Sequence, residues 1–317
     1  MSPTHVPLVV VGDLVWDMVV RTDTVLLPGG DVTGAIALYP GGSAANVAVW
    51  AARCGLASAF VGAVGIDLLG RILADDLAAE GVAAHLVSLS TRPTAVLLAL
   101  VDPDGQRSFV TSQGADFLLE PTQLPAVIDA TRHVHLTAWS LFTDPPAAAA
   151  LTAARRARGA GATLSVDPAS HQMIADYGTA RFLNLLDELH PDLLVPNRDE
   201  GAILSGATEP QAIVAALRAR FPGALIVLKL DAQGCLIGSG SAQIAVPAAP
   251  AKVVDTTGAG DSFCGAFLAT YLRGGDLEKA AQHAVRVAAW VVGRAGARPP
   301  REYAGQFADT DSQEGLG

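Results

Sequence analysis

Asp255-Thr256-Thr257-Gly258-Ala259-Gly260-Asp261-Ser262-Phe263 sets a turn of small residues and an acid where a loop enters a helix. Phe263, Ala266, Phe267, Thr270 and Tyr271 follow at helical spacing. The turn Gly258-Ala259-Gly260 would leave backbone N–H groups unpaired at a helix N-terminus, where a phosphate-sized anion binds. Asp261 would stand on the first turn beside that anion, able to take a proton from a hydroxyl attacking the phosphate. For a short Gly-Ala-Gly alone, an acid that merely complements the helix dipole is the alternative. The full run is more specific. No Gly-Lys-Ser/Thr follows, so it is not a P-loop, and Phe263 stands where a dinucleotide fingerprint needs Gly.

The bulk of the chain bounds what such a site serves. Its 317 residues are long for one average domain but ordinary for an α/β core with an insertion. Hydrophobic residues make up 50% and charged residues 16%, enough for a sizeable core and against extended disorder. The formal charge of −10 disfavours nucleic acid as a partner. It makes Mg²⁺ the natural companion of any bound nucleotide. Cys54, Cys235 and Cys264 lie far apart and read as reduced thiols of a cytoplasmic protein. No signal peptide or membrane span is expected, since the apolar run Leu8–Val11 is only strand length.

Along the chain, Val6–Val11 and Ala59–Val64 read as buried strands, and Asn46–Cys54 and Ile72–Glu80 as helices. Thr94–Val101 and Arg107–Thr111 flank Asp102-Pro103-Asp104-Gly105, a hairpin signal. Beyond residue 120, helical runs (Pro146–Arg158, Gln211–Phe221) alternate with apolar strands (Thr163–Val166, Leu193–Val195, Leu225–Leu230). That rhythm implies βαβ units and a parallel sheet. The polar residues Glu302–Gly317 read as a loose tail.

Three segments together resemble the ribokinase-like (PfkB) carbohydrate and nucleoside kinases. The run 255–263 resembles the C-terminal signature, Gly41-Gly42-Ser43-Ala44-Ala45-Asn46-Val47-Ala48 the N-terminal one, and Asn197-Arg198-Asp199-Glu200 the Asn-x-x-Glu element. Their order and spacing match across about residues 6 to 300. The resemblance implies an α/β fold, a three-layer α/β/α core with a small β-sheet lid. One kinase domain would span 1–300, its lid formed by about 13–40 and 94–113 and serving as a homodimer surface, with a flexible tail over 301–317. It implies ATP and Mg²⁺ as cofactors and phosphorylation of a hydroxymethyl group on a small sugar, sugar acid or nucleoside.

By the same resemblance Asp261 is the general base, and the amides of Gly258, Ala259 and Gly260 hold the γ-phosphoryl oxygens. Asp17, Gly41, Gly42, Ser43, Asn46 and Thr137 fall to the substrate, a carboxylate and an amide serving adjacent hydroxyls as acceptor and donor. The alternatives are a strand-end acid for Asp17 and an N-cap for Asn46; Asp13 ranks below Asp17. The nucleotide side takes Asn197, Glu200, Lys229, Asp231, Gly234, Thr256 and His283. Asn197 and Glu200 would organise Mg²⁺ through water, or else form a capping pair. Asp231 stands where many members have Gly, and His283 where they line the adenine pocket, a surface histidine being the alternative. Asp255 and Thr257, with Gly296-Ala297, resemble loops that bind a monovalent cation such as K⁺; a plain turn competes.

Two departures remove charged sugar contacts: Ser43 stands where ribokinases carry Lys, and Thr137 where they carry an acid. Ribose itself is therefore not the expected substrate. Trp16 and Trp139 are candidates to stack on a sugar or base, with buried packing the alternative. The rival functions are a nucleoside kinase of the same fold and a sugar sensor, which has no need of Asp261. A dinucleotide-dependent oxidoreductase would want Gly-x-Gly-x-x-Gly after the first strand.

Overall fold

Strand β1 (Leu8–Val11) is a four-residue apolar run with both faces buried, the pattern of an inner parallel strand. Leu8 and Val10 feed one core, Val9 and Val11 the other. A computed structural model of the chain describes residues 6–300 apart from 105, 241 and 275; the expected tail 301–317 lies outside the described residues.

The chain then runs through β2 (Val15–Thr22), β3 (Gly34–Gly41), α1 (Ser43–Arg53), β4 (Ser58–Gly65), α2 (Leu68–Ala79), β5 (Ala83–Leu89), β6 (Val96–Val101), β7 (Arg107–Thr111) and β8 (His133–Thr137). Next come α3 (Pro146–Gly159), β9 (Thr163–Asp167), α4 (His171–Tyr177), α5 (Thr179–Leu189), β10 (Leu193–Leu194), α6 (Arg198–Ser205) and α7 (Pro210–Arg220). The last elements are β11 (Leu225–Lys229), β12 (Cys235–Ser239), β13 (Ala242–Val246), α8 (Ala259–Gly274) and α9 (Leu277–Val292).

Nine strands form one sheet in the order β13-β12-β11-β10-β9-β8-β1-β4-β5. From β11 to β5 every pairing is parallel, and β12 and β13 add an antiparallel edge. Helices α1, α8 and α9 cover the face of Leu8 and Val10, and α3, α5 and α7 the face of Val9 and Val11. This is the expected three-layer, ribokinase-like α/β architecture. A second sheet, ordered β3-β2-β6-β7, is the lid that segments 13–40 and 94–113 were expected to form. Its β6–β7 hairpin is antiparallel, and Asp102 Oδ1 accepts from the backbone N–H groups of Asp104 (3.0 Å) and Gln106 (2.8 Å) in the turn.

Helix boundaries differ from expectation for local reasons. The helix expected from Asn46 starts at Ser43, because the Asp13 carboxylate accepts from the N–H groups of Ser43 (2.7 Å) and Ala44 (3.1 Å) across 30 residues of sequence. The helix expected from Ile72 starts at Leu68, since Asp67 caps it by accepting from Gly70 N–H (2.8 Å). Trp16 packs in the core and donates its indole N–H to Leu69 O at 3.1 Å. Among the described residues no helix is long and apolar enough to cross a membrane.

Candidate active site

The lid and the C-terminal ends of β1, β9 and β11 enclose a cavity of about 410 Å³, where open parallel sheets bind ligands. The turn into α8 forms one wall. Gly258 there has φ +73°, and a Cβ would lie 2.4 Å from Ala297 Cβ, so only glycine makes the turn. Asp261 follows in the first helical turn. Burial, followed by the nearby Asp167 and Asp13, raises its carboxyl to about 7, against the lowering by the Asn46 hydrogen bond and Lys229.

Lys229, the last residue of β11, reaches under this turn. Its Nζ is 2.6 Å from Asp167 Oδ2 and 3.4 Å from where a Cβ on Gly260 would lie. Burial works against the Lys229 charge, but Asp167, Cys264 and Glu200 outweigh it and hold the ammonium protonated. Asp167, at the end of β9, also accepts from Cys264 Sγ (3.0 Å). The Lys229 charge overcomes its burial and keeps it ionised.

Asn197 and Glu200 line the cavity and cap α6 reciprocally. Glu200 accepts from the Asn197 backbone N–H and Nδ2, both at 2.8 Å, and Asn197 Oδ1 accepts from Glu200 N–H at 2.9 Å. Burial lifts the Glu200 carboxyl to about 7, with Lys229 pulling it down. Among the described residues no group of three or more His, Cys, Asp or Glu could hold a metal ion, so a Mg²⁺ here would rest on phosphates, water and a carboxyl such as Glu200. That donor set suits Mg²⁺. Thr256 and Thr257 line the same end; Asp255 Oδ1 accepts from the Thr257 N–H (3.0 Å) and hydroxyl (2.7 Å), and Oδ2 from Gly296 N–H (3.1 Å). The two loops expected around a monovalent cation are thus joined.

The other end holds Asp13, Asp17, Gly42, Ser43 and Asn46. Burial, then Asp13, raises the Asp17 carboxyl to about 6, while Arg298 lowers it. Gly41 lies directly beneath that carboxylate, where a Cβ would come within 2.3 Å of Asp17 Oδ2. The lid supplies Val15, Val19, Leu97 and Phe109, and Phe117 and Trp139 complete the wall.

Several expected residues sit elsewhere. Thr137 is buried behind the cavity and donates to Asp13 Oδ1 at 3.1 Å, so it supports an acid instead of lining the site. Asn46 is no N-cap, because α1 begins three residues earlier; its Nδ2 donates to Asp261 Oδ2 and its Oδ1 accepts from Arg298 Nε, both at 2.7 Å. His283 is 3% exposed between α8 and α9, with Nδ1 2.8 Å from Thr270 Oγ1; it is neither a surface residue nor part of this cavity. Asp231 and Gly234 lie in the loop after β11, outside the lining. Asp231 adopts φ +50°, the left-handed region that explains why Gly is common there. The residues that sequence reasoning passed over are Asp167, Asp116 and Arg298. The first ends a strand and the last follows the Gly296-Ala297 loop, two positional signals that were present in the chain.

A model described as pfkB family carbohydrate kinase matches residues 7–303. An ATP-dependent ribose-1-phosphate kinase of Halopiger xanaduensis is 32% identical over 292 residues, 90% of this chain and 92% of that protein. Adenosine kinase from Sinorhizobium meliloti superposes with a TM-score of 0.84 at 26% identity, over 96% of this chain and 100% of that one. A putative ribokinase II from E. coli in complex with ATP and Mg²⁺ gives 0.80 at 25% identity, over 95% and 98%.

Proposed function

This chain belongs to the pfkB family of carbohydrate kinases and is an ATP-dependent sugar kinase; we propose that its phosphoryl transfer runs through Asp261 as general base. The observation that carries this reading is one first helical turn, in which the half-buried Asp261 carboxyl directly follows the turn Gly258–Gly260 on the cavity wall. The substrate hydroxymethyl group lies between Asp17 and Asp261. Asp261 takes its proton as the oxygen attacks the γ-phosphorus, with a carboxyl near 7 suited to base work at neutral pH. The amides of Gly258 and Gly260 and the Lys229 ammonium meet the charge on the transferring group, while the Ala259 N–H, expected to join them, donates to Thr256 O at 3.2 Å within the turn. Mg²⁺, when bound with ATP, neutralises phosphate charge, and Asn197 and Glu200 would hold it through water. Asp255, Thr257 and Gly296-Ala297 form the loops for a monovalent cation such as K⁺.

Asp13, Asp17 and Asp116 surround the substrate end, and the cavity's cations are Arg21 and Lys229. Burial and then Asp13 lift Asp116 to about 7. Such a wall receives hydroxyl groups, the chemistry of a neutral sugar. A nucleoside is the second reading, favoured by Phe109, Phe117 and Trp139, which offer flat apolar surface for a base.

The lid's outer face carries Ile36 and Leu38 on β3, in register with Val20 and Met18 on β2, and beyond them Leu98 and Val110. Ile36 is 68% and Val110 64% exposed, and a second copy of the chain covers this row. Three buried free thiols suit the reducing cytoplasm.

The experiment is ADP release from Mg-ATP across pentoses, hexoses, 2-keto-3-deoxy acids and nucleosides, with Asp261→Asn alongside. One substrate raising release in the wild type and not in the variant supports the reading. Equal turnover by both overturns the base.

A further inference from the structure

Asn46 can face Asp261 in two ways, and only one gives the carboxylate a donor. An amide turned over would set Oδ1 against a carboxylate, acceptor on acceptor. Arg298 removes that choice. Its Nε donates to Asn46 Oδ1 at 2.7 Å, which leaves Nδ2 to point at Asp261 Oδ2, 2.7 Å away. Reversal of the amide would also bring NH₂ against a guanidinium, donor on donor.

Arg298 is itself fixed from two sides. Nη1 donates to Asp76 Oδ2 on α2 at 2.6 Å, and Nη2 to the carbonyl of Gly41, the last residue of lid strand β3, at 3.3 Å. The side chain is 2% exposed. A buried, paired guanidinium with a fixed fork is a rigid template, which a lysine in its place is not. The charge network continues from Asp76 to Glu80 and Arg53, whose carboxylate and guanidinium lie 2.6 Å apart.

We propose that Arg298 is a positioning residue of the phosphoryl transfer: it locks the Asn46 amide so that Nδ2 donates to the Asp261 carboxylate. This rests on Asp261 being the base. Arg298 lies beneath the cavity wall and acts through Asn46. The charged groups facing Asp261 are Asp13 after β1, Asp167 on β9 and Lys229 on β11; Arg298 also holds down the Asp17 carboxyl, which rises when Arg298 is replaced.

The test is a double-mutant cycle of Arg298→Met and Asn46→Ala, with kcat, KM and the pH profile of kcat/KM read from ADP release, and thermal midpoints measured in parallel. Arg298→Met is expected to lower kcat by roughly tenfold or more. The acid limb should move up by about half a pH unit or more as Asp261 loses its donor. In the Asn46→Ala background the same substitution should leave kcat unchanged, and any limb shift that persists there belongs to Asp17, which loses the Arg298 charge. Arg298→Lys covers the case in which the methionine variant does not fold, and is expected to shift the limb in the same direction. Additive losses, or a lower thermal midpoint with kcat per folded enzyme and the acid limb unmoved, overturn the proposal. Asp261→Asn, assayed beside them, separates the two ideas: full turnover there overturns the base itself, whereas an inactive variant with an additive cycle overturns Arg298 alone.

Discussion

Lys229 Nζ lies 2.6 Å from Asp167 Oδ2 and 3.4 Å from where a Cβ on Gly260 would lie, beside the turn into α8. The pair joins the ends of β9 and β11, two strands separated in the sheet by β10. Asp167 balances the ammonium in the absence of ligand and holds it in place, so its charge is aimed at the anion site without reorganisation. Lys229→Met should therefore cut kcat about 100-fold while leaving KM for the sugar nearly unchanged. Steady-state kinetics on both substrates check this. A large change in sugar KM with kcat intact would assign Lys229 to the wrong end of the cavity.

Asp261 carries a second, opposite consequence. Its folded carboxyl sits near 7 against an ordinary 3.8, so between those values the folded protein holds a proton the unfolded chain has released. Stability contributed by that proton is present below about 4 and lost as pH rises through 7. Asp261→Asn should thus be more stable than wild type at pH 8, by on the order of 2 kcal/mol, with the gap closing towards pH 4. Thermal or urea unfolding at the two pH values measures it. A gap that is constant with pH would mean that the carboxylate charge is not the cause.

Activity runs the other way with pH. The proposed base Asp261 works only when ionised, so kcat/KM should rise about tenfold per pH unit below 7 and level off above it. Glu200 also titrates near 7, but it caps α6, so Glu200→Gln should keep this acid limb. Loss of the limb in Glu200→Gln would transfer the titration to Glu200.

Gly258→Ala should fail on two grounds at once. It forces φ +73° on a residue with a Cβ and drives that Cβ against Ala297. A loss of about 1–3 kcal/mol in stability and of most of kcat is expected, read by calorimetry and ADP release. Wild-type activity would show that the turn tolerates a different shape.

The lid's outer row offers an assay of assembly. Leu38→Glu, or Ile36→Glu, puts a charge in the middle of the exposed apolar stripe. Sedimentation should show a dimer becoming a monomer. A wild type that is monomeric at micromolar concentration would leave that face without a second copy.

The turn 256–261 and the lid strands were legible because each is local: the glycines, the acid and the alternation lie within a few residues of one another. Asp17 came from the resemblance to the family, and it does stand on the cavity lining. Asp167, Arg298 and the orientation of Asn46 were not legible. Their partners lie 62, 222 or 252, and 215 residues away in the chain, and no spacing rule spans those gaps. His283 and Thr137 failed for the complementary reason. A polar residue near a motif looks like a ligand in the sequence, but Thr270 and Asp13 claim those side chains inside the fold. The N-cap alternative for Asn46 fails because the side chain that caps α1, Asp13, comes from the other side of β2 and β3.

The 215 residues between Asn46 and Asp261 also order events in time. As the chain leaves the ribosome, the central strand β1 and its neighbours β4 and β8 are complete while α8 has yet to be made. Only when α8 docks on α1 does the amide meet the carboxylate, a closure across most of the sequence whose entropy must be offset by the packing between those two helices. On the proposed mechanism, a nascent chain that stops short of the Gly258–Asp261 turn carries the Asn46 amide without the carboxyl it faces.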